Sequence, residues 1–103
     1  MIRFRRGRFA ELVARQLDLF ETDEAALLTE AHDAEAAWNR AGRDQSEEAF
    51  GDWQLIADGI GERLLDLRET YAATLDDDAG ADYRRAFNRA AASRLHGFTE
   101  LLQ

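Results

Sequence analysis

The chain has 103 residues, 46% of them hydrophobic, which suits one domain with a packed core. It contains neither cysteine nor proline, so disulfides and cysteine-bound zinc are excluded and long uninterrupted helices are favoured. The net charge is −8, and neither a signal-peptide core nor an apolar run of membrane-spanning length is found, so we expect a cytoplasmic protein without membrane contacts.

The N-terminal segment, residues 1–8, differs from the rest of the chain in its charge. It carries +4, whereas the other 95 residues carry −12. Its basic residues are Arg3, Arg5, Arg6 and Arg8. Because arginines near a helix N-terminus oppose the helix dipole and Gly7 interrupts the run, we predict an extended arm ahead of one helical domain, residues 9–103. Such an arm would bind an acidic protein partner, or nucleic acid if the acidic body did not repel it.

The first predicted helix spans about residues 9–41. Apolar residues recur there at every third or fourth position, which is the spacing of one helix face. Thr22 is a fair N-terminal cap for a second helix. We nevertheless predict one unbroken helix, because the apolar stripe keeps its phase through this point. Glu24 is the polar misfit in the stripe, and we expect Arg63 or Arg68 to pair with it.

The second predicted helix spans about residues 46–76. Its stripe consists of eight apolar side chains that share one face: Phe50, Trp53, Ala57, Ile60, Leu64, Leu67, Tyr71 and Leu75. A short turn at Gly42 makes the two helices antiparallel neighbours, paired like a coiled coil. In the register centred on this turn, paired positions add up to 91, which places Trp38 opposite Trp53.

Three glycines inside the second helix, Gly51, Gly59 and Gly61, each cost stability relative to alanine. We expect that a neighbouring element packs closely against them, and a helix kink near Gly59 and Gly61 is the alternative.

A shorter third helix, about residues 79–96, follows an aspartate-rich turn and completes an all-α, antiparallel three-helix bundle. It is too short to cover the whole hairpin, so part of the groove between the long helices should stay open. An open apolar groove is usually closed by a partner, most simply a second copy of the chain. Leu55 and Leu65 project away from the core stripe and are candidates for a further contact surface.

Residues that could carry chemistry are few. We find no clustered nucleophile, acid–base pair or phosphate-binding loop, so we expect neither an enzyme nor a bound cofactor. The candidate metal ligands are His32, Glu35 and Glu24, but they lack the Glu-x-x-His pairs of di-metal bundles. His96 is expected at a helix end, where its charge suits the dipole.

The sequence thus leaves three hypotheses open. The leading one is a small acidic interaction module that self-associates, as a dimer. The alternatives are an acidic partner or nucleic acid bound by the arginine-rich arm, and a metal-binding bundle of carboxylates and histidine.

Overall fold

A computed structural model describes residues 7–102 of the chain, and within this range it is helical without strands. The four helices are α1 (Ala10–Asp23), α2 (Ala25–Arg40), α3 (Ser46–Ala72) and α4 (Asp77–Arg94). The all-α prediction is confirmed, and the predicted count of three helices is wrong. Across the described residues, none of the helices has the length and apolar character needed to cross a membrane.

The unbroken first helix predicted over residues 9–41 is interrupted at Glu24, where φ is −105° and ψ is 22°. The interruption is one residue wide, since Glu24 N donates to Phe20 O at 2.8 Å and Leu28 N donates to Glu24 O at 2.9 Å. Just before it, Thr22 Oγ1 donates to the Asp18 carbonyl at 3.1 Å. Side-chain hydrogen bonds of this kind bend helices, so Thr22 marks the break although it does not cap α2.

The break changes which helices are neighbours. α2 lies along α3, and the predicted register is confirmed next to the turn, where the rings of Trp38 and Trp53 are 5.5 Å apart. α1 instead packs against α4. Tyr71 of α3, predicted to face α1, packs on Tyr83 of α4 at 4.8 Å. The Tyr83 hydroxyl in turn donates to Gln16 of α1 at 2.8 Å.

The boundaries of α3 and α4 differ by a few residues from the predicted 46–76 and 79–96. α3 ends at Ala72, and a turn follows. α4 begins at Asp77 because the carboxylate of Asp76 accepts a hydrogen bond from Ala79 N at 2.8 Å and caps the helix. α4 ends at Arg94, and the tail from residue 95 to residue 102 folds back over α3, turning at Gly97 with φ +99°.

The core lies mainly where α1, α3 and α4 meet. Its largest fully buried side chains are Tyr83, Phe87, Leu17, Ile60, Leu64 and Val13. The tail adds Leu95 and Leu102 to the same core. By contrast, α2 contributes only Ala31 to the buried set, so the end of the molecule formed by α2 and the start of α3 is thin.

The expected close packing against glycine is found at Gly61 alone. A Cβ there would lie 3.2 Å from the Phe98 carbonyl oxygen and 3.4 Å from Leu101 Cδ1, because the tail crosses α3 at this point. At Gly51 and Gly59 an added Cβ would meet no atom of residues 7–102 within 4 Å, so the expected close packing is not found at these two positions.

Candidate functional site

A groove of about 460 Å³ lies between α1 and α3. It exists because the chain bends at Glu24 and α1 then follows α4. We call it the α1/α3 groove. The residues that line it are Gln16, Leu19, Phe20, Asp23 and Glu24 on one side and Arg63, Asp66, Leu67 and Thr70 on the other.

The apolar part of the α1/α3 groove is formed by Leu19, Phe20 and Leu67. Phe20 belongs to the core and Leu67 is half-buried, but Leu19 is 60% exposed. Full burial of a leucine side chain stabilises a protein or a complex by about 1.5–3 kcal/mol, and the exposed Leu19 contributes little of this to the folded chain. A partner that covered the groove would bury Leu19, and this burial would stabilise the complex.

The charged part of the groove is mainly acidic. Arg63 Nη1 lies 3.0 Å from Glu24 Oε2, which confirms the predicted pairing with Arg63. Asp23 and Asp66 also line the groove, and neither makes an ion pair within residues 7–102. Two unpaired carboxylates therefore stand beside the exposed leucine, an arrangement that attracts a segment with both apolar and cationic side chains.

On its other side, α1 is fastened to α4 by Arg94. This guanidinium donates to Asp18 Oδ1 at 2.7 Å, to Glu21 Oε1 at 2.6 Å and to the Ala14 carbonyl at 3.1 Å. The hydrogen bonds to Asp18 and Glu21 raise the pKa of Arg94. α1 is thereby held away from α3, which keeps the groove open.

Arg68, the other predicted partner of Glu24, is instead buried to 6% exposure inside the bundle. It donates to Asn88 Oδ1 at 2.8 Å and to Glu69 Oε2 at 2.9 Å. Glu69 also accepts two hydrogen bonds from Arg84, at 2.9 and 3.0 Å. These bonds, first of all those from Arg84, lower the pKa of Glu69 to about 2. This network joins α3 to α4 and lies apart from the groove.

The candidate metal ligands are only partly brought together. His32 and Glu35 line a second cavity of about 450 Å³, between α2, α3 and the tail, and His96 lies in the same lining. Glu24 is not part of it, because it pairs with Arg63. Among the described residues, no group of three or more His, Asp or Glu side chains is arranged to hold a metal ion.

The predicted interaction residues lie in different places. Arg8 is near Asp82 at 3.9 Å, with its guanidinium 5.3 Å from the centre of the Phe9 ring. Leu55 is 76% exposed, as expected, whereas Leu65 packs half-buried against the core. The other predicted residues, Arg3, Arg5 and Arg6, lie outside the described part of the chain.

Comparisons of the chain with protein-family models, curated proteins and solved structures found no match. The site is therefore defined by its own geometry. Sequence reasoning anticipated an open hairpin groove but missed its main residue, Leu19, which lies beside the predicted stripe. The available signal was Thr22: a break there turns α1 and brings Leu19 to the edge of the new groove.

Proposed function

We propose that the protein is a helical interaction module that self-associates, most simply as a dimer, by covering the α1/α3 groove. The observation that carries this proposal is the exposed Leu19 in an apolar groove of about 460 Å³. Self-association is the economical choice, because two-fold dimers are the commonest oligomers and use the same surface twice.

The position of the groove supports the proposal. The groove lies between two elements that are each fixed elsewhere, α1 by Arg94 and α3 by the Arg68 network. Its walls are therefore preformed, and a partner that binds there orders little of the protein. A preformed surface reduces the entropic cost of association.

The outer face of α3 is the alternative surface for the same function. Leu55 projects from it with 76% exposure, one helical turn from Gly51 and from Gly59. Several carboxylates share this face, among them Asp58 and Glu62. Carboxylates of two copies would repel each other on this face as they would at the groove. We prefer the α1/α3 groove because Leu19 lies there in a concave surface beside Phe20 and Leu67.

The test replaces one exposed leucine at a time by glutamate. Leu19→Glu places a charge in the groove, so we expect the mass in solution to fall from two chains to one, measured by light scattering at tens of micromolar protein. Leu55→Glu is the matched control and should leave the mass unchanged. Both side chains are exposed in the single chain, so both variants should keep the helix content of the parent by circular dichroism.

The opposite pattern, a monomer with Leu55→Glu and a dimer with Leu19→Glu, would move the interface to the outer face of α3. A parent protein that has the mass of one chain would end the proposal of self-association.

A further inference from the structure

We propose that the segment that covers the α1/α3 groove is the N-terminal arm, residues 1–6, of a second copy of the chain. This inference rests on the proposed self-association and names the part of the partner that makes the contact. Residues 1–6 lie outside the described structure, so the argument uses their sequence, their length and the place where they join α1.

The composition of the arm complements the groove. The groove combines the exposed Leu19 with the carboxylates of Asp23 and Asp66, which make no ion pair among residues 7–102. In the arm, Ile2, Arg3, Phe4 and Arg5 alternate apolar and basic side chains, and Arg6 follows. In an extended chain, alternate side chains point to opposite sides, so Ile2 and Phe4 would share one side and Arg3 and Arg5 the other.

The distribution of charge over the whole chain also favours the arm as the segment that contacts the groove. Outside residues 1–8 the protein carries −12, so two bodies repel each other at any direct interface. The arm is the one strongly basic segment of the sequence. If it lies between the two bodies, repulsion is replaced by arginine–carboxylate pairs.

The length of the arm is sufficient. From Gln16 to Asp23 the groove follows α1 for eight residues, which is about 12 Å of helix. Six extended residues span about 20 Å, at roughly 3.3 to 3.6 Å each.

The point of attachment favours a second copy over the same chain. Gly7 lies beside Arg89 and Arg8 is close to Asp82, both on α4. The residues of α1 that bind Arg94 of α4, such as Asp18, lie on roughly the opposite side of the helix from Leu19 and Asp23, at about 100° per residue. An arm that began there would have to cross the roughly 10 Å width of α1 to enter its own groove.

A charge-swap experiment tests the inference. The arm variant carries Arg3→Glu and Arg5→Glu, the groove variant carries Asp23→Arg and Asp66→Arg, and the third variant combines all four changes. We expect each of the first two to raise the dimer dissociation constant by at least about tenfold, because like charges then meet. The combined variant should return to within about threefold of the parent, because opposite charges face each other again and both copies are identical.

The matched control is the double change Arg40→Glu and Arg43→Glu, which alters the net charge as the arm variant does but at exposed positions beyond the groove. Sedimentation equilibrium gives the dissociation constants, and circular dichroism verifies the fold of each variant. An arm variant that dimerises like the parent overturns the inference while leaving self-association through the groove intact. A combined variant that stays monomeric also overturns it. A parent that is monomeric removes the proposed function itself.

Discussion

Gly51 and Gly59 lie on α3 with open space where a side chain would be, whereas Gly61 lies under the tail. All three have helical backbone, so the difference between them is one of packing. At single residues, the structure therefore separates glycines that only weaken the helix from one that permits a close crossing.

Alanine substitutions test this difference. Gly51→Ala and Gly59→Ala should each raise the free energy of unfolding by about 0.8–1 kcal/mol, because alanine favours the helix and its methyl group meets nothing. Gly61→Ala is the contrasting variant. Its methyl group would lie only 3.2 Å from the Phe98 carbonyl oxygen. The variant should therefore raise the free energy of unfolding by less than the other two, or lower it. Urea unfolding measures all three, and equal gains at the three positions would refute the tight crossing at Gly61.

Glu69 contributes to the dependence of the free energy of unfolding on pH in the acidic range. Its pKa falls from the ordinary 4.5 to about 2 in the folded chain, because Arg84 and Arg68 bind the carboxylate. A depressed pKa means that the folded state prefers the charged form. The stabilisation is therefore complete above about pH 4.5 and is lost as the pH falls toward 2.

Glu69→Gln should accordingly flatten the loss of stability between about pH 4.5 and pH 2, as followed by thermal unfolding at several pH values. Glu30→Gln, an exposed glutamate of α2 without an ion pair in the described part of the chain, is the control and should keep the parental slope. If both variants retain that slope, the Arg84–Glu69–Arg68 network does not stabilise the folded protein.

At the scale of elements, the tail from residue 95 to residue 102 continues the cover that α4 provides. α4 packs on α1 and on α3, and where it ends at Arg94 the tail crosses α3 at Gly61. Leu102 is 6% exposed and belongs to the core, while its neighbour Leu101 is 42% exposed. A short irregular segment thus covers part of α3 beyond the end of α4, where the third helix was predicted to be too short to reach.

The two adjacent leucines provide a matched pair. Leu102→Ala should destabilise the protein by about 2–4 kcal/mol, since it removes a buried side chain, and Leu101→Ala by less than about 1 kcal/mol. Denaturant unfolding of both variants measures the difference. A small effect of Leu102→Ala would mean that the tail is not docked on the core.

The elements that the sequence pattern predicted well are those with local signals. The stripe of α3, the turn after α2 and the pairing of Trp38 with Trp53 all follow from helical spacing around one short turn. The Arg63–Glu24 pair was also among the expectations, because a polar residue in an apolar stripe needs a partner.

The break between α1 and α2 could not be derived in the same way. The apolar stripe runs through it in phase, so the hydrophobic pattern gives no reason to stop. The direction of α1 is set by its contacts with α4. Tyr83 donates a hydrogen bond to Gln16, and Arg94 pairs with Asp18 and Glu21. These partners are more than 60 residues away in the sequence. Because the α1/α3 groove depends on these long-range contacts, the local sequence pattern could not predict it.

At the scale of the whole molecule, the protein is an elongated helical body, 57 × 32 × 23 Å, with an acidic net charge and a partly apolar groove between α1 and α3. One end is the core of α1, α3 and α4. The other, thinner end carries the Trp38, Phe50 and Trp53 rings. In the proposed association the acidic bodies of two copies repel each other, and the basic arm is the part of the chain best suited to offset this repulsion.

The mass of the parent protein in solution is the most direct test of self-association. Sedimentation equilibrium at tens of micromolar protein and moderate salt should give twice the 11.7 kDa of the chain, falling toward one chain on dilution. A mass of 11.7 kDa at every concentration in that range would contradict the account.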